Sequence, residues 1–109
     1  MLEQRDHYVR YSGSGASDND VLFETDDLTP WDGFLLLSTT GAVDIFVSLD
    51  GDNFATSALS LQDFGASDLT PALVTVAGRV YGFVGKFKKI RVLQNGGTAA
   101  SASLLAWNI

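Results

Sequence analysis

The amino-acid sequence predicts a single all-β domain: an antiparallel, jelly-roll-like β-sandwich of about eight strands. Short apolar segments recur about every 8–12 residues and are separated by residues that favour turns. The steps Asp50-Gly51 and Asn95-Gly96 are strong hairpin signals, because glycine accepts the positive φ that tight turns require. Hydrophobic residues form 46% of the 109-residue chain, which fits one packed core and excludes a disordered chain.

Residues 1–19 are predicted to form an N-terminal arm, and residues 20–109 the sandwich domain. The arm mixes charged residues with Tyr8 and Tyr11 and then runs through Ser12-Gly13-Ser14-Gly15, a composition typical of flexible linkers. Because such a segment buries little apolar surface, we expect it to be ordered only through a neighbouring subunit.

The first strands of the domain are predicted from three apolar segments. Val21–Thr25 is the first, and Trp31–Ser38 is the second. The second is apolar on both faces at Phe34–Leu37, so we expect it to lie in the centre of a sheet. Val43–Leu49 is the third, and its apolar residues alternate as they do in a strand with one buried face.

Five further strands are predicted in the second half of the chain: Ala58–Leu61 at an edge, then Ala72–Ala77, Val80–Phe87, Ile90–Gln94 and Thr98–Trp107. The last is rich in Ala and Ser, and such small side chains let another backbone or sheet approach closely. The alternation of apolar residues also predicts a core. Its expected members are Leu35, Leu37, Ile45, Val47, Val76, Phe83, Ile90 and Val92.

Charge is distributed unevenly along the chain. The net charge is −6, which argues against a nucleic-acid partner, and none of the 13 acidic residues follows Asp68. Five of the seven basic residues lie together after that point. Two interpretations stay open. In the first, these basic residues pair with acidic turns across the sheet, and in the second they form a polarised surface that docks on a complementary subunit. The candidate partner-binding residues are Arg79, Lys86, Lys88, Lys89 and Arg91, with Tyr8 and Tyr11 of the arm.

The residue inventory predicts no enzyme, no cofactor and no metal site. His7 is the only histidine and lies in the predicted arm, which cannot hold a catalytic base rigidly beside a nucleophile. The chain has no cysteine, so neither a thiol nucleophile nor a zinc site can form in the usual ways. The acidic residues occur mostly in turns, where aspartate is favoured by the backbone, and we expect no paired carboxylates for glycoside hydrolysis.

Two ligand interpretations receive less weight than structural ones. Asp50, Asp52 and Asn53 could present oxygens to calcium, but no glutamate follows at the spacing of a calcium loop, and a turn already explains them. Six aromatic residues could form a platform for sugar rings, but aromatic residues in strands are usually core. These residues are Trp31, Phe46, Tyr81, Phe83, Phe87 and Trp107.

The sequence gives no indication of a membrane partner. The N-terminal residues lack the apolar stretch of a signal peptide. The longest apolar run, Phe34–Leu37, is far shorter than the roughly 20 residues of a spanning helix. We therefore expect the protein to be made and folded in the cytoplasm.

Two segments carry a resemblance to a known class of proteins. Val43–Phe54 reads Val-Asp-Ile-Phe-Val-Ser-Leu-Asp-Gly-Asp-Asn-Phe, and Gly78–Leu93 ends with Phe-Lys-Lys-Ile-Arg-Val-Leu. With the small-residue final strand, they resemble small β-sandwich virion proteins of tailed bacteriophages, most closely the capsid decoration or cement proteins. The resemblance covers roughly residues 20–109.

This resemblance implies a non-enzymatic protein on the outer surface of a virion capsid. Such proteins dock on the capsid lattice, often as dimers or trimers, and clamp neighbouring subunits of the major capsid protein. The resemblance carries over no catalytic residue. Two other functions stay open, a carbohydrate-binding β-sandwich module and a phage tail, fibre or adaptor subunit.

Overall fold

Nine β-strands form two antiparallel sheets in the computed structural model, which describes residues 2–4, 7–64 and 71–109. The large sheet has the order β1-β2-β9-β4-β7-β6, and the small sheet has the order β3-β8-β5. The described residues contain no helix. The strands are β1 Leu2–Gln4, β2 Tyr8–Gly15, β3 Val21–Glu24, β4 Gly33–Thr40, β5 Val43–Ser48, β6 Gln62–Asp63, β7 Val80–Val84, β8 Lys89–Gln94 and β9 Ala100–Trp107.

The connections between strands follow the jelly-roll pattern, which confirms the predicted β-sandwich. From β2 to β5, and again from β7 to β9, each strand crosses to the opposite sheet. The resulting orders, β2-β9-β4-β7 and β3-β8-β5, are those of a jelly roll with one strand position left open beside β5. The short strands β1 and β6 end the large sheet, which limits the edge available for pairing with another chain.

Irregular chain fills the open position beside β5, so the predicted strands Ala58–Leu61 and Ala72–Ala77 are wrong. The N–H groups of Leu59 and Thr75 each donate to a carbonyl of β5 at 2.9 Å, but between themselves the two segments share only the Leu61–Ala72 bridge. Hydrogen bonds to side chains take the place of the missing backbone hydrogen bonds between strands. The Thr75 hydroxyl accepts the N–H of Val43, and the hydroxyl of Tyr81 accepts the N–H of Val76.

The core lies between the sheets and differs from the prediction in β4, where the opposite face points inward, and at Val76. Phe34 and Leu36 are fully buried, whereas Leu35 and Leu37 face outward and are half-buried. Four consecutive apolar residues show no alternation, so the sequence could not specify which pair faces inward. Ile45, Ile90 and Val92 are buried as predicted, and Val47 and Phe83 pack against the core. The prediction that Val76 belongs to the core is wrong, because this residue lies in the irregular segment and is 56% exposed.

The predicted N-terminal arm is wrong over most of its length, because Tyr8–Gly15 is an internal strand of the large sheet. All eight residues pair with β9, and β1 pairs along its other side. Val9 and Tyr11 are buried in the core. The glycines serve close packing instead of flexibility: a Cβ atom on Gly13 would lie 2.1 Å from the carbonyl oxygen of Leu22.

Candidate interaction surfaces

Arg91 and Lys88 are each held by an acidic side chain of the same chain. Arg91 lies opposite Glu24 in the pairing of β8 with β3, and its Nε donates to a Glu24 oxygen at 3.1 Å. Lys88 Nζ lies 2.9 Å from a carboxylate oxygen of Asp27. Hydrogen bonds from Thr29, followed by the one from Lys88, lower the pKa of Asp27 to about 2. Both cations are therefore paired with acidic residues of β3 or of the segment that follows it.

Arg79 and Lys86 are also paired, but at other places in the fold. Arg79 donates to the nearly buried Asp63 at 2.9 Å, and this partner raises the pKa of Arg79. Lys86 Nζ lies 3.7 Å from Asp32. Lys89 forms no ion pair within the part of the chain that the structure describes. Four of the five members of the basic stretch thus pair with acidic residues of the same chain. Arg91 does so between paired strands, as one of the two interpretations expected, whereas Lys86 and Lys88 do so between loops.

Tyr8 and Tyr11 point to opposite faces of β2. Tyr11 is buried and stacks on Phe23, with ring centroids 6.4 Å apart, and burial raises its pKa. It cannot serve as a contact for a partner, and the prediction for this residue is wrong. Tyr8 is half-buried on the outside of the large sheet, opposite Trp107 of β9.

The aromatic residues do not form one platform. Phe34, Phe83 and Phe87 make a cluster in which the Phe34 and Phe83 rings stack at 4.9 Å. The core interpretation is confirmed for four of the six residues singled out from the sequence. They are Trp31, Tyr81, Phe83 and Phe87. The other two, Phe46 and Trp107, are half-buried on the outer faces of different sheets.

The Asp50 side chain organises a turn, as the structural interpretation predicted. Its carboxylate accepts the backbone N–H groups of Asn53 and Asp52 at 2.8 Å each, and the Asn53 amide at 3.0 Å. These bonds hold the pKa of Asp50 well below its usual range. Among the described residues, no three His, Cys, Asp or Glu side chains are grouped as ligands for a metal ion. The described part of the chain also contains no helix that is long and apolar enough to span a membrane.

The outer face of the small sheet combines aromatic, charged and apolar side chains, and we call it the small-sheet face. Phe46 lies directly opposite Arg91, and the Arg91 guanidinium lies 4.0 Å from the centroid of the Phe54 ring. Phe46, Phe54, Arg91 and Leu93 line one open pocket. Arginine and aromatic residues are enriched where proteins bind one another. The small-sheet face comprises Val21, Glu24, Asp44, Phe46, Phe54, Lys89, Arg91 and Leu93.

The outer face of the large sheet is mostly apolar over β4, β7 and the end of β9, and we call this part the large-sheet face. Its β2 side carries Arg10, which lies opposite Leu105, and serines. The Phe64 ring lies over Gly82 of β7, and the Trp107 ring lies over Gly33 of β4. Val84 is 69% exposed and Phe64 is 62% exposed. The apolar run Phe34–Leu37 indicated a strand covered on both sides, and the described residues bury its inner side fully and its outer side only in part. The large-sheet face comprises Leu35, Leu37, Phe64, Val80, Val84, Leu105 and Trp107.

Comparisons with known proteins identify a fold and no family. No family model matches the sequence, and no curated protein matches it. The chain is similar in structure to the SPBc2 prophage-derived protein YomS, whose crystal structure it matches with a TM-score of 0.60 and 11% sequence identity. The match covers 89% of this chain and 94% of that chain. The sandwich is thus a fold that also occurs in a phage-derived protein.

Proposed function

We propose that this protein is a non-enzymatic structural protein of a phage particle, a decoration or cement protein that binds and stabilises the lattice of the major capsid protein. The observation that carries the proposal is the kind of surface that the sandwich exposes. Its two outer faces present apolar, aromatic and arginine side chains suited to protein contact. The likeness to a prophage-derived structure supports a phage setting.

Several described side chains that could perform chemistry are engaged in structural roles or lie at the surface. His7 is exposed beside the start of β2. The carboxylates of Asp20 and Asp50 accept backbone N–H groups in their own turns. Asp27 and Asp63 are paired with cations. A structural role accounts for these residues without requiring a reaction.

The small-sheet face is the surface proposed to contact the capsid. The Arg91–Glu24 pair is partly exposed, and exposed ion pairs contribute only about 0–1 kcal/mol, so Arg91 can exchange Glu24 for a carboxylate of a partner at little cost. Lys89 adds a second cation on the same face. Phe46 and Phe54 supply apolar surface next to these charges. An acidic patch on the capsid would gain association rate and register from the two cations.

A binding assay with capsids that lack the protein tests this proposal. Purified protein is mixed with such capsids, and the bound fraction is measured by sedimentation at increasing salt for the wild type and for Lys89→Glu/Arg91→Glu. We expect saturable binding of the wild type that weakens with salt. We expect binding of the double variant to be weaker by about tenfold or more, or ~1.4 kcal/mol.

Lys86→Glu is the control, because it also replaces a cation with glutamate, at one position instead of two, in the loop between β7 and β8, away from the small-sheet face. It should bind like the wild type once circular dichroism shows that each variant is folded. Equal binding of all three proteins at every salt concentration would remove the small-sheet face from the contact. Failure to bind capsids, together with binding to phage tails or to a sugar, would replace decoration with one of the other two functions.

A further inference from the structure

Asn95 is the only asparagine of this chain that is followed by a glycine. It lies exposed directly after β8, in the loop that continues through Gly96 and Gly97 to β9. Because glycine has no Cβ atom, its backbone nitrogen can approach the side chain of the preceding residue more closely than the nitrogen of any other residue can. The step from Asn95 to Gly96 therefore joins an exposed amide to an unhindered backbone nitrogen.

Carboxylates from two neighbouring segments hold the two groups of this step. The Gly96 N–H donates to Asp18 Oδ1 at 2.8 Å. The side-chain amide of Asn95 donates to Asp44 Oδ2 at 3.2 Å. The buried side-chain amide of Gln94 adds a bond to the Gly96 carbonyl at 2.9 Å. The loop is thus fixed at the nitrogen and at the amide that would have to meet in a cyclisation.

We propose that Asn95 is a site of spontaneous covalent modification, and that the hydrogen bond from Gly96 to Asp18 sets its rate. The Gly96 nitrogen attacks the side-chain carbonyl carbon of Asn95 and gives its proton to the solvent. The bond from that carbon to the side-chain nitrogen breaks, and the nitrogen leaves as ammonia with a proton from the solvent. The resulting cyclic imide is opened by water at either carbonyl, which leaves aspartate or isoaspartate at position 95. The inference does not depend on the capsid proposal.

The Asp18 carboxylate slows this reaction in the folded chain for two reasons. It holds the Gly96 N–H in one orientation, and charge-assisted hydrogen bonds are roughly twice as strong as neutral ones. Its negative charge also disfavours loss of the proton from nitrogen, because a second negative charge would then develop beside the first. Reaction therefore requires that the bond between Gly96 and Asp18 open first.

The step from Asp50 to Gly51 has the same spacing but is protected more fully. The Asp50 carboxylate accepts the N–H groups of Asp52 and Asn53, and these bonds hold the pKa of Asp50 well below its usual range. Its side chain stays ionised, and an ionised carboxylate offers a nucleophile no good leaving group. The Gly51 N–H donates to the Ser48 hydroxyl at 2.9 Å. We therefore expect cyclisation at Asn95 before any at Asp50.

Modification of Asn95 changes the charge at the rim of the small-sheet face. The product carries a carboxylate where the Asn95 amide now donates to Asp44, so repulsion between like charges replaces a hydrogen bond. Asn95→Asp carries the charge of the product on an unaltered main chain. We expect this variant to melt at a lower temperature than the wild type.

Peptide mapping by mass spectrometry tests the inference on the folded full chain, incubated at mildly alkaline pH. We expect aspartate and isoaspartate to accumulate at position 95. Asp18→Ala should raise the rate by about threefold or more, a factor in the lower part of what one hydrogen bond contributes. Asp52→Ala is the matched control, because it makes the same substitution at an exposed carboxylate in the turn after β5, and it should react like the wild type.

A synthetic peptide, Leu-Gln-Asn-Gly-Gly-Thr, gives the rate without the fold and should react faster than the folded chain. Circular dichroism shows that each variant is folded, and Asp18→Asn, whose side-chain oxygen can still accept the Gly96 N–H, should react more slowly than Asp18→Ala. Equal rates in the wild type and Asp18→Ala would overturn the inference. So would modification of another asparagine before Asn95, or an Asn95 that stays intact in Asp18→Ala after the peptide has reacted completely.

Discussion

The Arg91 guanidinium lies 4.0 Å from the centroid of the Phe54 ring on the small-sheet face. Its Nε also donates to Glu24 on the neighbouring strand, so the cation is held by a ring on one side and a carboxylate on the other. This arrangement joins β3, β8 and the turn after β5 at a single side chain. It also keeps the charge of Arg91 at the surface that we propose contacts a partner.

A double-mutant cycle should detect the attraction between these two residues. Because a cation stacked on an exposed ring contributes about 0.5–1 kcal/mol, we expect a coupling of that size between Arg91→Met and Phe54→Leu in the free energy of unfolding. Urea denaturation of the wild type, both single variants and the double variant provides the measurement. Strictly additive effects of the two substitutions would show that the ring and the guanidinium do not interact.

Gly13→Ala should destabilise the fold strongly. The new Cβ atom would lie 2.1 Å from the backbone oxygen of Leu22, so β2 and β3 must move apart. We expect a loss of about 2–3 kcal/mol in the free energy of unfolding, the upper part of the usual range for overpacking. Gly97→Ala is the matched control, because nothing lies within 4 Å of its Cβ position, and it should change stability by less than about 1 kcal/mol. Equal effects of the two substitutions would contradict the close approach of β2 to β3.

Deletion of residues 1–15 should prevent the isolated domain from folding. The deletion removes β1 and β2, exposes the edge of β9 and takes Val9 and Tyr11 out of the core. Circular dichroism during heating should then show no cooperative transition, whereas the full chain should show one. A truncated domain that melts at the temperature of the full chain would restore the arm interpretation.

The acidic residues in turns predict how stability responds to low pH. The pKa of Asp27 is lowered from 3.8 to about 2, mainly by Thr29 and then by Lys88. A carboxylate with a lowered pKa contributes stability above its unfolded pKa, and that contribution is lost as the pH falls through the folded value. We therefore expect stability to decrease between about pH 4 and pH 2.

Carbon-detected NMR titration of the Asp27 carboxylate checks the cause as well as the direction. Thr29→Val and Lys88→Met should each raise the pKa of Asp27 towards 3.8, because each removes a side-chain hydrogen bond to the carboxylate. A change in only one variant would show that a single contact causes the shift. An unchanged pKa in both variants would mean that neither contact is formed in solution.

The sequence predicted the parts of the fold whose patterns are local. Clean alternation at Val43 and Ile45 specified β5. The Asn95-Gly96 step marks a turn, with a φ of +99° at Gly96, but the predicted hairpin is wrong, because β8 and β9 lie in different sheets. The apolar run at Phe34–Leu37 has no alternation, so its register could only be set by packing against the small sheet. Ser12–Gly15 has the composition of a linker, and its role appears only when Gly13 meets the backbone of β3.

The candidate sites were less predictable, because they depend on partners distant in sequence. The basic residues after Asp68 were visible as a cluster, but pairing of Arg91 with Glu24 requires the β3–β8 register. The sequence signal for the large-sheet face was the run Phe34–Leu37, a strand that is apolar on both of its faces. Phe64 and Val84 join that face through the pairing of β7 with β4 and β6, which no short window of sequence contains.

The central claim, that this protein is a component of a phage capsid, is tested most directly by quantitative mass spectrometry of purified particles. Particles from a host that carries the gene are separated into heads and tails on a density gradient, and the amount of this chain is compared with that of the major capsid protein. The account predicts that the chain stays with the heads, in an amount comparable to the major capsid protein. Its absence from the heads, or its presence in the tail fraction alone, would contradict the account.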